Sequence, residues 1–490
     1  MRVLQITAYS GWGCTGRIAV GIHNALINQN QECAIAWGRI NTAADTVTTI
    51  KIGNKLDQNV HGLYTRITDK CGFGSQAVTR KFLKEIDEYA PDLIQLHIMH
   101  GYYINLEILF EYIKKKNIPV VWTFHDCWAF TGHCPYFDLI HCEKWKTGCY
   151  DCEQKRHHPT SLIFDNSKWN WEKKKELFTE IPDLAIVTPS KWLAGLVRQS
   201  FFKGCRIEVI NNGINLNDFK PTTGTITDKL QIGNRKVILG VSSTWAKSKG
   251  LNDFIQLASL LPKTYVIVLV GLTKQQKEEL PNTIIGIERT DSIKELAELY
   301  TVASVFVNPT YEDNYPTTNL EALACGTPVL TYRTGGSVEA VGSEYGKIVD
   351  QGNVNQLAEY IVSRKWESVT SEMCREKAKE FDENIKFNEY VELYKELIKK
   401  RNEGKPMAVT EAQMLGIPPV VTNYASAAGQ TKSQIDGLIV ENTDDAVYDA
   451  LRYLIQNQNE VIKWKNNLKH ENFDNMQEID KIYRIIEENK

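Results

Sequence analysis

The stretch Asn308-Pro-Thr-Tyr-Glu-Asp-Asn-Tyr-Pro-Thr-Thr-Asn-Leu-Glu-Ala-Leu-Ala-Cys-Gly-Thr-Pro-Val-Leu330 decides the fold of this chain. The apolar run that ends at Asn308 predicts a buried parallel strand, and residues 318–325 predict a helix after a polar loop. Asp313 in the loop and Glu321 in the helix have seven residues between them. A carboxylate in such a position can bind hydroxyl groups. The free N–H groups of the neighbouring helix N-terminus attract phosphate. The stretch therefore either binds a nucleotide-sugar or is a plain strand–loop–helix edge.

Strands and helices alternate through two successive regions, which predicts two doubly wound parallel sheets. The predicted strands of the first region are 3–7, 32–37, 93–97, 120–124 and 184–188. Those of the second are 236–241, 265–271, 283–286 and 303–308. We therefore expect an α/β protein with two domains of the same kind.

The composition is that of an ordinary globular protein of 490 residues, with 42% hydrophobic residues, 24% charged residues and a net charge of −3. A charge this small predicts no broad basic surface for nucleic acid. The sequence has neither a signal peptide nor a run of about 18 apolar residues, so we expect a cytoplasmic protein. The Trp and Lys residues of 168–175 predict either a contact with the inner face of an anionic membrane or a solvated helix.

Four of the 11 cysteines cluster as Cys134, Cys142, Cys149 and Cys152. A chain without an export signal is not expected to form a disulfide framework. Four thiols this close in sequence, ending in Cys-x-x-Cys, predict a structural zinc site. The alternative is a loop with free thiols.

Three further loops follow predicted strands. Gly13 and Gly16 open the first helix, where either a phosphate contact or a tight turn explains the small residues. His125 follows a buried strand at the edge where open sheets bind ligands, although a lone histidine is also a common structural residue. Lys247 and Lys249 follow the first strand of the second region, and they bind phosphate or are solvated surface charges.

These stretches together resemble the retaining glycosyltransferases of family 4, which have the GT-B fold of two Rossmann-like domains facing a cleft. The family signature is an acid, seven residues, a glutamate and then Ala-x-Ala-x-Gly-x-Pro-Val. Two positions depart from the pattern: Asp313 replaces the usual glutamate, and Ser243 stands roughly where the family has an arginine. Glu312, one residue out of register, is the alternative acid. The resemblance suggests a bacterial capsule or exopolysaccharide enzyme of the colanic-acid type.

The resemblance implies a role for each matching residue. His125 and Asp313 would contact the transferred sugar, and Glu321 the ribose hydroxyls. Lys249 would hold the donor diphosphate. The remaining contacts to the donor would come from Gly13, Gly16, Ser243, Lys247, Arg289, Thr317 and Thr318.

The resemblance also divides the chain. We expect an acceptor-side domain at 1–205 with a Cys-rich loop at 127–152, a donor-binding domain at 206–385 and a crossover helix at 386–400. Beyond that helix, Glu403 and Glu411 repeat the spacing of the acids, and Gly416 repeats Gly326. Residues 401–490 are therefore expected to be a truncated repeat of the donor domain without an active site of its own.

We expect a glycosyltransferase that moves a sugar from a nucleotide-sugar to a glycan or lipid-linked acceptor with retention of configuration. The resemblance implies no catalytic cofactor, and a peripheral membrane contact stays open. The alternatives are a nucleotide-sugar epimerase of the same fold and a non-catalytic nucleotide-sugar-binding protein.

Overall fold

The computed structural model describes residues 1–181, 183–403, 407–423, 427–441 and 443–469. The strands of these residues form three sheets, of seven, six and two strands. The first two sheets lie in one compact unit, residues 1–114 with 118–394. The third lies in a second unit, residues 115–117 with 395–490.

The first sheet is parallel throughout, with the strand order β3-β2-β1-β4-β5-β6-β7. Its strands are β1 (Arg2–Ser10), β2 (Glu32–Asn41), β3 (Thr49–Lys51), β4 (Leu93–Leu96), β5 (Val120–Thr123), β6 (Leu184–Thr188) and β7 (Arg206–Val209). Its helices are α1 (Gly13–Asn28), α2 (Lys55–Thr68), α3 (Gln76–Tyr89), α4 (Leu106–Lys116), α5 (Ser167–Thr179) and α6 (Lys191–Val197). Val3 on β1 pairs with both Cys33 and Leu93, so the strand order reverses beside β1.

The second sheet is parallel as well, with the order β10-β9-β8-β11-β12-β13. Its strands are β8 (Lys236–Val241), β9 (Tyr265–Val270), β10 (Ile284–Ile287), β11 (Ala303–Asn308), β12 (Val329–Tyr332) and β13 (Gly346–Val349). Its helices are α7 (Ile226–Lys229), α8 (Leu251–Leu260), α9 (Lys274–Glu278), α10 (Ile293–Val302), α11 (Thr317–Ala324), α12 (Ser337–Val341), α13 (Val354–Val362) and α14 (Ser371–Lys379). The order reverses between β8 and β11, as it does beside β1.

The prediction of two doubly wound sheets is confirmed, because apolar runs buried on both faces form parallel strands covered by helices. The short edge strand β3 and the helices α2 and α3 were not predicted. Among the described residues, every helix is too short or too polar to span a bilayer.

Helix α15 (Glu383–Glu403) begins earlier than the predicted crossover helix. The Asp382 carboxylate accepts a hydrogen bond from the Asn384 backbone N–H at 2.8 Å, which starts the helix there. Phe387 on α15 packs on Gly21 of α1, where a Cβ would lie 2.0 Å from the Phe387 ring. Because Gly21 has no side chain, the Phe387 ring of α15 can pack directly on the backbone of α1.

The second unit has the same order of elements as the last part of the second sheet. It contains α16 (Met407–Met414), β14 (Val420–Thr422), α17 (Ala427–Gln430), β15 (Leu438–Val440), α18 (Asp444–Gln456) and α19 (Gln458–Leu468). The series from α16 to α18 follows the same order as α11, β12, α12, β13 and α13. Strands β14 and β15 are parallel, as β12 and β13 are.

Candidate active site

The candidate residues lie at the carboxyl edges of the two large sheets, where doubly wound folds bind their ligands. In the first sheet, Gly13 and Gly16 follow β1 and His125 follows β5. In the second, Lys249 follows β8 and Asp313 follows β11. The sequence motifs thus meet at the edges beside the reversals of strand order.

Glycines form the turn that opens α1. The Gly11 N–H donates to the Gly16 carbonyl at 3.1 Å. Gly11 has a φ of +71°, and a Cβ there would lie 2.5 Å from the Ala43 nitrogen. Gly13 also has a positive φ, of +64°. The turn itself requires these small residues, and Arg17 follows it near the start of α1.

Glu321 is the most buried of the predicted acids, with 3% of its surface exposed. Its Oε2 accepts a hydrogen bond from the Tyr300 hydroxyl at 2.8 Å, and its Oε1 lies 3.8 Å from the Arg17 guanidinium. Burial raises the pKa of Glu321, while Arg17 and hydrogen bonds from Tyr300 and Thr317 oppose that rise. These contacts hold the Glu321 carboxyl group in one orientation, with its Oε1 towards Arg17 on helix α1.

Lys249 and Asp313 form an ion pair, with 2.6 Å between Lys249 Nζ and Asp313 Oδ2. The same ammonium donates to the Glu312 carbonyl at 3.1 Å and lies 3.4 Å from Thr310 Oγ1. One cation therefore ties the loop after β8 to the loop after β11. The carboxylate of Asp313 is the charged partner of Lys249.

Glu312 points to a different element from its neighbour Asp313. Its Oε1 accepts a hydrogen bond from the Leu139 N–H at 3.3 Å, in the Cys-rich loop. Burial raises the pKa of Glu312, and burial together with Glu312 raises the pKa of Asp138 to about 6. Of the two candidate acids, Asp313 is the one beside Lys249, and Glu312 lies under the Cys-rich loop.

His125 belongs to a hydrogen-bonded chain of three side chains. The Gln5 Nε2 donates to the Ala19 carbonyl at 2.8 Å, so its Oε1 is the atom that accepts from His97 Nε2 at 2.9 Å. His97 Nδ1 is then an acceptor, and it receives the Nε2–H of His125 at 3.2 Å. The chain leaves His125 Nδ1 as the unprotonated ring atom. Burial lowers the pKa of both histidines, that of His125 to about 4, so both rings are neutral near pH 7.

Asn314 joins the edges of the two large sheets. Its Nδ2 donates to the His125 carbonyl at 3.2 Å, and its Oδ1 accepts from the Ser190 hydroxyl at 2.7 Å. Beside it, both carboxylate oxygens of Glu339 accept backbone N–H groups, those of Lys191 at 2.8 Å and Trp192 at 2.7 Å. These contacts hold the loop that carries Asp313 against the loop that carries His125.

A cavity of about 620 Å³ lies between the turn before α1 and helix α11. Of the predicted residues it is lined by Thr317 and Glu321, together with Cys14 and Arg17. The Cys14 thiol and the Thr317 hydroxyl are hydrogen-bonded, so the two walls are in contact at one point. The volume is of the size that holds a ligand as large as a nucleotide-sugar.

Other predicted residues lie away from this cavity. Ser243, Lys247 and Arg289 are exposed side chains, and Thr318 is half-buried. Glu411, the counterpart of Glu321 in the repeat, is exposed. The side chain of Glu403 is outside the described residues. Of the acids in the two pairs, Glu321 is the one that lines the described cavity.

The four clustered cysteines line one small cavity of about 20 Å³. A hydrogen bond from Cys134 lowers the pKa of Cys152, and the Gly132 N–H donates to Cys149 Sγ at 3.1 Å. Within the described ranges, no group of three or more His, Cys, Asp or Glu side chains is placed so as to hold a metal. The thiols therefore converge without forming a tetrahedral arrangement, and the zinc site stays a prediction.

Sequence reasoning missed Arg17, Tyr300 and Asn314. A signal for Arg17 was present, because it directly follows Gly16 in the glycine turn that the sequence marked as a candidate phosphate contact. Asn314 directly follows Asp313, but its partners are at residues 125 and 190, and no local pattern gives such a pairing.

Comparisons with known proteins agree with this geometry. The family model described as "Glycosyl transferases group 1" matches residues 223–386 and 388–471, just over half of the chain. The model described as "Glycosyltransferase Family 4" matches residues 46–218. The putative colanic acid biosynthesis glycosyl transferase WcaC of Escherichia coli K12 is 24% identical over 421 residues, which cover 81% of this chain and 100% of the relative.

A second relative is the N,N'-diacetylbacillosaminyl-diphospho-undecaprenol alpha-1,3-N-acetylgalactosaminyltransferase of Campylobacter jejuni. It is 27% identical over 226 residues, which cover 42% of this chain and 58% of the relative. Among solved structures, sucrose-phosphate synthase of Thermosynechococcus elongatus has a TM-score of 0.61 at 17% identity, covering 82% of this chain and all of that one. Anabaena Alr3699/HepE in complex with UDP has a TM-score of 0.58 at 15% identity, covering 81% and 100%.

The features that define the class are two parallel sheets linked at their carboxyl edges, a paired acid and lysine at the edge of the second sheet, and these likenesses: the protein is a glycosyltransferase of the GT-B fold. Within that class, the chain belongs to the group 1 glycosyltransferases, and the second match to the same family model falls on the repeat.

Replacing His125 by asparagine should reduce the loss of stability on acidification. Because the folded pKa of His125 is about 4 and its ordinary value is 6.5, the unfolded chain binds this proton first as the pH falls. The contribution of neutral His125 is thus full above pH 6.5 and is lost as the pH falls towards 4. Asp126 favours protonation and His100 opposes it.

Urea unfolding at several pH values measures the effect. We expect the slope of unfolding free energy against pH in this window to fall by up to about 1.4 kcal/mol per pH unit in His125→Asn. The control is the range above pH 6.5, where the contribution of His125 is constant and the two curves should run parallel. Curves for wild type and His125→Asn that also run parallel below pH 6.5 would contradict the neutral, buried state of this ring.

Proposed function

We propose that this protein transfers a sugar from a nucleotide-sugar donor to a glycan or lipid-linked acceptor, with retention of anomeric configuration, in the assembly of a bacterial polysaccharide. The observation that carries the proposal is the placement of Glu321. It is a buried, hydrogen-bonded carboxyl group at the wall of a large cavity, with Arg17 opposite and a helix N-terminus beside it. This combination suits a ligand that carries both hydroxyl groups and phosphates.

The names of the relatives support the two substrate classes. The Escherichia coli relative is named for colanic acid biosynthesis, and the Campylobacter relative for a diphospho-undecaprenol-linked sugar. The Anabaena protein of the same fold was solved with UDP, with UDP and glucose and with UDP-glucose. A nucleotide-sugar donor and a polyprenyl-linked acceptor are therefore the classes to test first.

In the proposed reaction, the donor lies with its ribose on Glu321 and its diphosphate at the start of α11. The backbone N–H groups of Thr317 and Thr318 belong to the first turn of that helix, which attracts anions. Lys249 turns from Asp313 towards the phosphates when the donor binds. Positive charge at the departing nucleotide lowers the barrier, since negative charge grows there as the glycosidic bond breaks.

Arg17 is our candidate for the cation that the loop after β8 lacks. Its guanidinium lines the cavity and is 53% exposed, so it is accessible to a ligand. Lys247, the other candidate, is exposed and is not among the residues that line the cavity. A guanidinium from the first sheet would then bind the diphosphate across the cleft, in place of an arginine from the second sheet.

The transferred sugar is assigned to Asp313 and His125. The Nε2–H of His125 is donated to His97, so Nδ1 is the ring atom that can accept a hydrogen bond from a sugar hydroxyl. The backbone oxygen of His125 already accepts from Asn314. We therefore assign the sugar contact to the ring rather than to the backbone.

The domain roles follow from this arrangement. We propose that residues 1–205 bind the acceptor and residues 206–385 the donor, with α15 as the crossover helix. Residues 401–490 take no part in catalysis, because the counterpart of Glu321 there is the exposed Glu411.

Glu321→Ala should abolish most of the acceptor-dependent release of nucleotide, whereas Glu411→Ala should leave it unchanged. The first substitution removes the proposed ribose contact from a built cavity, and the second removes an exposed carboxylate. The measurement is nucleotide release from a panel of nucleotide-sugars, with and without polyprenyl-diphosphate-linked sugar. Equal losses in two folded variants, or nucleotide-sugar isomerisation without acceptor, would count against the proposed reaction.

Arg17→Gln should weaken donor binding by about tenfold or more, as expected for loss of a charge-assisted contact to phosphate. Lys247→Gln is the matched control, since it removes an exposed cation from the loop in which the family has its arginine. Binding is read from the thermal stabilisation that each nucleotide-sugar gives. If Lys247→Gln is the more damaging change, the diphosphate is bound by the loop after β8 alone.

We also propose that Cys134, Cys142, Cys149 and Cys152 bind one structural zinc ion. In support, all four thiols line the same small cavity, and the Gly132 N–H already donates to a cysteine sulfur there. A four-thiolate site leaves no open position for substrate, so the metal would be structural.

Metal analysis of the purified protein should then find about one equivalent of zinc. Cys149→Ser should lower this content and the melting temperature, while Cys205→Ser, at a half-buried cysteine outside the cluster, should not change the zinc content. Fully stable protein without zinc would refute the site and leave a loop with free thiols.

A further inference from the structure

Helix α2 has its apolar stripe on the solvent side. The stripe has helical spacing of four, three and four residues, and it consists of Leu56, Val60, Leu63 and Ile67, which are 70%, 60%, 58% and 39% exposed. The buried side of the same helix carries polar residues, His61 and Thr65. A helix of a globular domain normally has the opposite arrangement. We therefore expect the exposed stripe to be an interaction surface.

A second exposed apolar segment lies directly beside the end of α2. Leu162, Ile163 and Phe164 are 59%, 59% and 56% exposed. The Leu162 N–H donates to the Arg66 carbonyl at 2.7 Å, and the Phe164 N–H donates to the Ile67 carbonyl at 3.2 Å.

The segment is closed on itself as well, because the Ser161 hydroxyl donates to the Phe164 carbonyl at 2.6 Å. Backbone hydrogen bonds thus hold three large apolar side chains outward in a defined loop. We use the name apolar face for these seven side chains: Leu56, Val60, Leu63, Ile67, Leu162, Ile163 and Phe164.

Exposed cations lie on α2 and in the segment before residue 162. Lys55, Arg66 and Arg156 are exposed, and the segment from residue 155 to residue 164 contains no acid. The one acid within α2, Asp57, accepts the Asn54 backbone N–H in the capping box at the start of the helix. Exposed apolar side chains with lysine and arginine in the same segments are the pattern that suits an anionic lipid surface.

The apolar face is connected to the acceptor side of the candidate active site. His158, in the same loop, has its ring 5.7 Å from that of His100 and 6.2 Å from that of Tyr102. His100 Nε2 in turn lies 2.9 Å from the carboxylate of Asp126, which follows His125 in the sequence. A headgroup presented at this face would therefore be within a few side chains of His125.

We propose that the apolar face and its cations dock the protein onto an anionic lipid bilayer, with the 162–164 loop and the α2 stripe inserted at the boundary of headgroups and acyl chains. The proposal rests on the proposed function in one respect, since a lipid-linked acceptor would be reached from that surface. It commits to a bilayer rather than a second copy of this chain. In a two-fold dimer the face would meet itself and bring like cations together.

The segment at 168–175, where a membrane contact was left open, is not this surface. Trp171 and Lys174 on α5 are 8% and 1% exposed. The Lys174 ammonium donates to the carbonyls of Trp128 at 2.8 Å and Thr131 at 3.1 Å, inside the first domain. Burial lowers the pKa of Lys174 to about 7, as expected for an internal ammonium.

Sedimentation of the full chain with vesicles tests the proposal. The protein should bind vesicles of phosphatidylglycerol and phosphatidylcholine, bind phosphatidylcholine vesicles more weakly, and be released by salt. Leu162→Ser with Phe164→Ser should lower the vesicle partition coefficient by about tenfold or more, since two large apolar side chains no longer insert. The matched control is Leu260→Ser with Val362→Ser, which removes side chains that are 41% and 44% exposed in the second domain. Its binding should equal that of the parent.

The proposal is overturned if the parent stays in the supernatant, or if the double variant of the 162–164 loop sediments as the parent does. It is also overturned if that variant changes the oligomeric state in light scattering while vesicle binding persists, because the face then joins copies of the chain. Thermal stabilisation by nucleotide-sugars is measured on the same samples. A protein that binds vesicles but no nucleotide-sugar would remove the proposed reaction and leave the docking surface intact.

Discussion

The side chain of Asn314 holds the carboxyl edges of the two large sheets together, with its amide on the His125 carbonyl and its oxygen on the Ser190 hydroxyl. It is 3% exposed, so these hydrogen bonds form without competition from water. Gly336 makes the approach possible, because a Cβ there would lie 2.1 Å from the Asn314 carbonyl oxygen. These two hydrogen bonds link the loop of Asp313 to the loop of His125, and the ion pair with Asp313 adds Lys249 to the same site.

The sequence predicted the repeating architecture and the sheet edges at which the site lies. Apolar runs such as 303–308 and 120–124 are buried on both faces, which is a local property of parallel strands, and the loops after them are read directly from the chain. The repeat at the C-terminal end was predicted from turn residues that recur at matching distances. The pairing of Lys249 with Asp313 agrees with the motif from which both were chosen.

The parts that could not be predicted depend on residues far apart in sequence. Arg17 and Glu321 approach to 3.8 Å although 304 positions separate their numbers. The burial of Lys174 depends on the carbonyls of a loop more than 40 residues earlier, so a run of lysines that looks solvated includes an internal one. For α2 the apolar pattern was present, but periodicity alone does not say which side of a helix faces the protein.

The hydrogen bonds that link the side chains of Gln5, His97 and His125 all run in one donor-to-acceptor direction. The carbonyl of Ala19 on α1 decides which end of the Gln5 amide faces His97, and each ring then has only one way to place its proton. A backbone oxygen on the outer helix layer thus selects the tautomer of a ring beyond the edge of the sheet. Helix α1 therefore contributes the charge of Arg17 to the cleft and also orients its hydrogen bonds. The tautomers of the two histidines are set by a main-chain carbonyl and not by solvent.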